Sequence, residues 1–150
     1  MTTSSNPDNL RLAVVGAHLS GMPLNHELIA RNAGFVEKTA TARKYRLYEL
    51  IDTEPSKPGL ARCEDDAGAS IEVELWDIPI ASVGSFLAGI PAPLGIGTLE
   101  LLDGRTVNGF ICEGYAIKGG VDITSFGGWR NYRNSIRLPA SPRDLVRDPT

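Results

Sequence analysis

The stretch Leu12-Ala-Val-Val-Gly-Ala-His-Leu-Ser-Gly-Met-Pro-Leu-Asn25 joins an apolar run to a change of chain direction. Residues 10–15 form an apolar segment of strand length, which is typical of a buried strand. Small residues, two glycines and a proline surround and follow His18, and such residues favour a turn. The sequence therefore predicts that a buried strand ends beside this histidine.

Short helices are expected in three places: 25–34, 80–90, and after the Gly-Gly pair within 122–136. Asn25 is placed to act as the N-cap of the first helix, and Gly34 is placed to end it. The second helix is expected to pack on the core through three apolar residues, which are Val83, Phe86 and Leu87.

Strand patterns recur at 35–41, 45–51, 60–65, 70–79, 97–102 and 105–113. Asp103-Gly104 separates the last two and is a strong hairpin signal. The strand at 70–79 alternates apolar residues with Glu72, Glu74 and Trp76, which predicts one core face and one polar face. With six or so strands, short helices and 16 glycines, the sequence predicts an α+β fold with a small, curved, barrel-like sheet.

Composition narrows the class of protein. The chain has 150 residues, of which 42% are hydrophobic and 22% charged, as in an ordinary globular protein with one domain. A net charge of −3 and a pI near 5.4 argue against a nucleic-acid partner. No apolar run approaches the roughly 20 residues of a membrane span. No signal peptide is recognisable, so we expect a cytoplasmic protein.

Both ends of the chain are polar and lack an apolar period. We expect residues 1–9 to be a disordered leader, 10–137 to be the domain and 138–150, which contains three prolines, to be a flexible tail. Cys63 and Cys112 have no metal-ligand spacing, and without a secretion signal they are expected to be reduced thiols in the core. No metal site and no cofactor are expected.

His18 is the main candidate for chemistry, and two interpretations stay open. It is either a loop histidine hydrogen-bonded to backbone, or a group that transfers a proton near neutral pH. A turn of small residues also presents successive backbone N–H groups, so residues 16–20 are expected to be able to hold a carboxylate. The other histidine, His26, is expected to be exposed to solvent.

Other candidates are weaker. The run 90–98 lacks a phosphate-loop pattern, and it is either a tight connection or a pocket wall in which Gly95 admits a close ligand. Glu72 and Glu74 are expected to share a solvent-exposed sheet face. Alternatively, Glu74, which is close to Trp76, lines a cavity. Glu113 is expected to be buried and paired with Arg130. No Ser-His-Asp or Cys-His pattern is present.

Several motifs together resemble the allophanate hydrolase C-terminal domain over residues 10–136: LAVVGAHLSGMPLN, YRLYEL, IEVELWDIP, FLAGIPAPLGIGTLEL, DGRTVNGFICEGYA and DITSFGGWRNY. The resemblance implies a fold like that of gamma-glutamyl cyclotransferases, with a mixed barrel-like sheet and a pocket at the end of the first strand. Those enzymes carry a catalytic glutamate on a helix that corresponds to 80–90. That segment has no acidic residue here, which disfavours cyclotransferase activity.

The resemblance also implies a reaction, the decarboxylation of N-carboxycarbamate after an amidase has acted on allophanate. His18 would be its catalytic residue. Small-carboxylate binding is expected from Gly16, Ala17, Leu19, Ser20, Asn25 and Gly95. Two alternatives are a cyclotransferase-like enzyme and a non-catalytic domain that binds an amidase or sets its oligomeric state; a homo-oligomer stays open. Whether the chain stands alone or is a fragment is also open.

Overall fold

A computed structural model describes residues 7–64 and 66–137. Its strands are β1 (Asn9–Val14), β2 (Gly34–Ala40), β3 (Tyr45–Glu49), β4 (Pro58–Arg62), β5 (Glu72–Pro79), β6 (Leu94–Glu100), β7 (Thr106–Cys112) and β8 (Val121–Asp122). Its helices are α1 (Asn25–Ile29), α2 (Ile80–Ala88), α3 (Gly114–Ile117) and α4 (Trp129–Arg137), and Thr124–Phe126 forms a 3₁₀ turn.

The predicted first strand lies at the centre of a mixed sheet. Five strands follow the order β2-β5-β1-β7-β6, and β4-β3-β8 form a second sheet. β1 is antiparallel to β5, where Leu12 pairs with Trp76, and parallel to β7, where Leu12 pairs with Asn108. The second half of β1 is apolar and buried, because β1 has a paired strand on each side and is packed on both faces.

The five-stranded sheet curls until its two outer strands meet. Thr41, just after β2, forms an antiparallel bridge with Leu101, just after β6. The N–H of Ala42 donates to the Glu100 carbonyl at 2.9 Å, and the N–H of Leu102 donates to the Ala40 carbonyl at 2.9 Å. These bonds pair edge groups that an open sheet would leave free. The predicted α+β fold with a barrel-like sheet is therefore confirmed.

Two predicted helices differ in detail from the structure. α1 ends at Ile29 instead of Gly34, because Asn32 adopts a left-handed φ of 61° and the N–H of Ala33 bonds back to the Leu28 carbonyl at 3.0 Å, a common helix ending. In α2, Phe86 is buried as predicted, but Leu87 is exposed. Gly34 instead opens β2.

The ends and the cysteines also differ from expectation. β1 begins at Asn9, which pairs with Pro79, one residue before the predicted start of the domain. Residues 1–6 and the predicted tail at 138–150 lie outside the described residues.

Cys63 and Cys112 are free thiols, as predicted, but both are partly exposed rather than in the core. Among the described helices, none has the length and apolar character needed to cross a bilayer.

Candidate active site

His18 lies just beyond β1 and is held on three sides. The residue is 7% exposed, and its Nε2 is 2.8 Å from Oε1 of Glu27 in α1. The imidazole stacks on Phe110 with ring centroids 5.1 Å apart, and Phe86 meets it edge-on at 5.2 Å. The ring is therefore bound to a carboxylate, and the interpretation as a loop histidine hydrogen-bonded to backbone is wrong.

The surroundings of His18 determine its protonation. Burial lowers the pKa of the imidazole, and this effect outweighs the hydrogen bond and charge of Glu27, which raise it. The free site therefore holds a neutral ring at neutral pH. Because a carboxylate accepts, Nε2 carries the hydrogen and Nδ1 keeps its lone pair. Nδ1 has no hydrogen-bond partner among the residues that the structure describes, so it is available to a ligand.

The turn after β1 is fixed mainly through its carbonyl groups. The Gly16 carbonyl accepts from Leu19 N–H at 3.0 Å, and the Ala17 carbonyl accepts from Leu24 N–H at 2.8 Å. Asn25 Nδ2 donates to the His18 carbonyl at 2.8 Å. Within the described parts of the chain, the N–H groups of Gly16, Ala17 and His18 donate to no protein acceptor. Three successive donors are thus free, as a carboxylate site needs.

Two predicted roles in this turn are wrong. Leu19 is not a free backbone donor, since its N–H is bound to Gly16 and its side chain is buried in the core. Asn25 is not the N-cap of α1; Leu24 holds that position without a side-chain cap. Asn25 instead fixes the His18 carbonyl, so it positions the turn.

A cavity of about 250 Å³ opens beside this turn. It is lined by Val15, Gly16, Ala17, His18, Leu24, Glu27, Glu54, Pro55, Lys57, Pro58, Gly89, Ile90, Pro91, Leu94 and Phe110. The predicted Gly16, Ala17 and His18 are therefore brought together, whereas Ser20 and Gly95 are not part of this lining. Part of the run 90–98 does form a pocket wall.

Sequence reasoning missed three charged residues of the cavity, which are Glu27, Glu54 and Lys57. Glu27 lies two residues after the presumed Asn25 cap and would have been found only by asking which helix residue faces the preceding strand end. No sequence signal marks Lys57. In residues 7–64 and 66–137, no group of three or more His, Cys, Asp or Glu side chains is arranged to hold a metal ion.

Ser20 belongs to a second, buried group, the Glu74 cluster, formed by Ser20, Glu74, Trp76 and Arg130. Oε1 of Glu74 accepts from the Ser20 N–H at 2.8 Å, from Ser20 Oγ at 2.9 Å and from Trp76 Nε1 at 3.1 Å. Arg130 Nη2 lies 3.2 Å from Glu74 Oε2 and donates to the Ser20 carbonyl at 2.6 Å. The cluster thus ties the turn after β1 to α4.

The Glu74 cluster corrects three predictions. Glu74 is 3% exposed, so it belongs neither to a wet sheet face nor to the cavity lining. Ser20 directs both of its donors toward Glu74 and does not line the cavity. Arg130 pairs with Glu74 instead of Glu113, which is exposed.

The charge of Glu74 is stabilised by its partners. Burial raises the pKa of the carboxyl group, but the hydrogen bonds from Ser20 and Trp76 and the charge of Arg130 together outweigh it, so that the pKa is lowered. Glu74 is therefore a buried anion at neutral pH, paired with a cation and accepting three hydrogen bonds. Such a pair is costly to break.

We expect Gly16→Ala to destabilise the protein. A Cβ atom at this position would lie 2.3 Å from Cδ and 2.5 Å from Cγ of Pro58, and the ring of a strand proline has little freedom to move away. The free energy of unfolding, measured with urea, should fall by about 1–3 kcal/mol. Gly95→Ala is the matched control, because a Cβ there meets no atom within 4 Å. Equal stability of the two variants would contradict the close contact.

The residues that form the sheets and the cavity also match a known protein family. The family model of the allophanate hydrolase C-terminal domain matches residues 10–134. A urea amidolyase of Lachancea kluyveri is 45% identical over 136 residues, a match that covers 89% of this chain and 7% of that protein. The chain therefore spans a small part of this curated relative.

Solved structures agree in fold. Kluyveromyces lactis allophanate hydrolase superposes with a TM-score of 0.83 at 43% identity, covering 86% of this chain and 22% of that one. A protein specific to uropathogenic E. coli superposes with a TM-score of 0.78 at 33% identity, covering 86% of this chain and 98% of that one. A gamma-glutamyl cyclotransferase, at 10% identity and a TM-score of 0.53, shares the fold. The chain belongs to the allophanate hydrolase C-terminal domain family.

Proposed function

We propose that this chain binds N-carboxycarbamate and promotes its decarboxylation, downstream of an amidase in urea and allophanate degradation. The pathway is supported by the family match and by the similarity to urea amidolyase. The observation that carries the reaction is the arrangement at His18. A buried imidazole, hydrogen-bonded to Glu27 at 2.8 Å, lies beside three free backbone N–H groups in one cavity.

The proposed reaction uses these groups as follows. N-carboxycarbamate has two carboxylates on one nitrogen, and the N–H groups of Gly16, Ala17 and His18 bind one of them. The negative charge of the ligand raises the pKa of His18, so that Nδ1 takes up a proton from solvent. Glu27 accepts the hydrogen bond from Nε2 and stabilises this imidazolium.

Nδ1 then donates its proton to the nitrogen of the substrate. The bond between that nitrogen and one carboxyl carbon breaks, and its electron pair goes to the nitrogen. Carbon dioxide and carbamate are formed, and His18 returns to its neutral state. The step consumes one proton for each carbon dioxide, and it uses no cofactor.

A coupled assay tests this proposal. An amidase and allophanate generate N-carboxycarbamate in solution, and release of carbon dioxide is followed with increasing amounts of this chain. We expect the rate to increase in proportion to the chain until the amidase becomes limiting. A rate that stays at the spontaneous value at every concentration would refute the decarboxylation.

The same samples separate the two alternatives. Association with the amidase in sedimentation analysis, with carbon dioxide release unchanged, would favour a non-catalytic partner domain. Cyclotransferase activity is disfavoured because α2 (Ile80–Ala88) contains no acidic residue. The carboxylates of the cavity, Glu27 and Glu54, come from other segments.

A further inference from the structure

Lys57 is a buried lysine with an unusual environment. The residue is 8% exposed and lines the same cavity as His18. Its backbone is fixed on both sides, since its N–H donates to Thr53 Oγ1 at 3.0 Å and its carbonyl accepts from Leu50 N–H at 3.0 Å. Lysine is rarely buried without a partner, because removing an ammonium group from water costs free energy.

The nearby carboxylates do not form an ion pair with this charge. Within the described residues, Nζ of Lys57 has neither an ion pair nor a hydrogen bond. Oε1 of Glu27 is engaged by His18, and Glu54 is exposed to solvent. The charge of Lys57 lowers the pKa of His18, although burial and Glu27 have larger effects on that pKa. The ammonium group therefore acts on the cavity without a protein counter-ion.

We propose that Lys57 binds a second carboxylate, so that the cavity selects short dicarboxylates over monocarboxylates. One carboxylate lies on the N–H groups of residues 16–18, and the other is the counter-ion that Lys57 lacks. His18, whose Nδ1 has no partner among the described residues, lines the same cavity as both anion-binding elements. The inference rests on the proposed function and names the class of ligand that its cavity takes.

Calorimetric titration with malonate and with acetate tests the inference. Wild-type protein should bind malonate more tightly than acetate. Lys57→Met should weaken malonate binding by about 10- to 100-fold, as expected for loss of a charged hydrogen bond, and should leave acetate binding nearly unchanged. Lys57→Arg should retain the preference for malonate. Lys118→Met is the matched control at an exposed lysine, and thermal unfolding checks that each variant is folded.

Three results would overturn the inference: no malonate binding to the wild type, unchanged malonate affinity in Lys57→Met, or an equal loss for acetate. The carbon dioxide assay separates this failure from failure of the proposed function. Malonate binding that depends on Lys57 without faster carbon dioxide release would support the dicarboxylate site and refute the decarboxylation. Faster carbon dioxide release without malonate binding would support the decarboxylation and refute the dicarboxylate site.

Discussion

His18→Ala is expected to lower the rate of carbon dioxide release by about 10²–10⁴-fold, the range for loss of a positioned proton-transfer group. The variant retains the free N–H groups of residues 16–18 but has no ring nitrogen facing the substrate. The coupled assay with amidase and allophanate measures the effect under conditions in which the wild-type chain limits the rate.

Two further variants make this prediction specific. His26→Ala is the matched control, because the His26 ring is exposed and bonds only to the Pro23 carbonyl among the described residues. The rate of this variant should match that of the wild type. Glu27→Gln keeps an oxygen that accepts from Nε2 but removes the charge that stabilises the imidazolium. We expect its rate to fall between those of the wild type and His18→Ala.

The ring of His18 also fills space between Phe86 and Phe110, so the alanine variant must be shown to be folded. His18→Gln retains more of the side-chain volume and a polar group, but it has no nitrogen that exchanges a proton near neutral pH. If a folded His18→Gln variant releases carbon dioxide at the wild-type rate, His18 is not the proton-transfer group.

Glu74→Ala is expected to lower the free energy of unfolding by about 3–5 kcal/mol, the range for removal of one partner from a buried ion pair. The substitution leaves the Ser20 donors and Trp76 Nε1 without their acceptor. It also removes the carboxylate nearest to Arg130, which keeps the Ser20 carbonyl as an acceptor. Urea unfolding at neutral pH measures the change. Glu37→Gln is the control, because Glu37 pairs with Arg105 at 3.3 Å while 41% exposed, and it should cost about 0.2–1 kcal/mol.

The effect of Glu74→Ala should depend on pH. The folded protein lowers the pKa of Glu74 below its ordinary 4.5. The resulting stabilisation is complete above about pH 4.5 and is lost as the pH falls through the lower pKa of the folded state. The difference between wild type and variant should therefore shrink in acid. A difference that is constant from neutral to acidic pH would indicate that Glu74 contributes by packing and not by its charge.

The local parts of the fold could be predicted from the sequence. The apolar run 10–15, the Asp103-Gly104 turn and the helix around Phe86 depend on neighbours in the chain, and their patterns show directly in the residues. The position of His18 at a strand end also depends on its neighbours in the chain, and it could be predicted for the same reason. The sequence predicted a curved, barrel-like sheet, but it did not indicate that Thr41 and Leu101 would close it.

The contacts that define the site are not local, and this is why they were missed. Alternation along β5 assigned Glu74 to a polar face, but periodicity does not say what covers that face. Here the cover comes from Ser20 and Arg130, which are distant in sequence. Lys57 likewise looks like an ordinary surface lysine until the structure places it beside His18.

The central position of β1 has a consequence for the order of events during synthesis. The strand is synthesised before its hydrogen-bonding neighbours β5 and β7, and Arg130 follows these. Pairings between distant residues form slowly because a long loop must close first. A nascent chain that ends before β7 therefore contains His18 and Glu27 but no finished cavity. The cavity, and with it the proposed activity, should therefore form only after almost the whole domain has been translated.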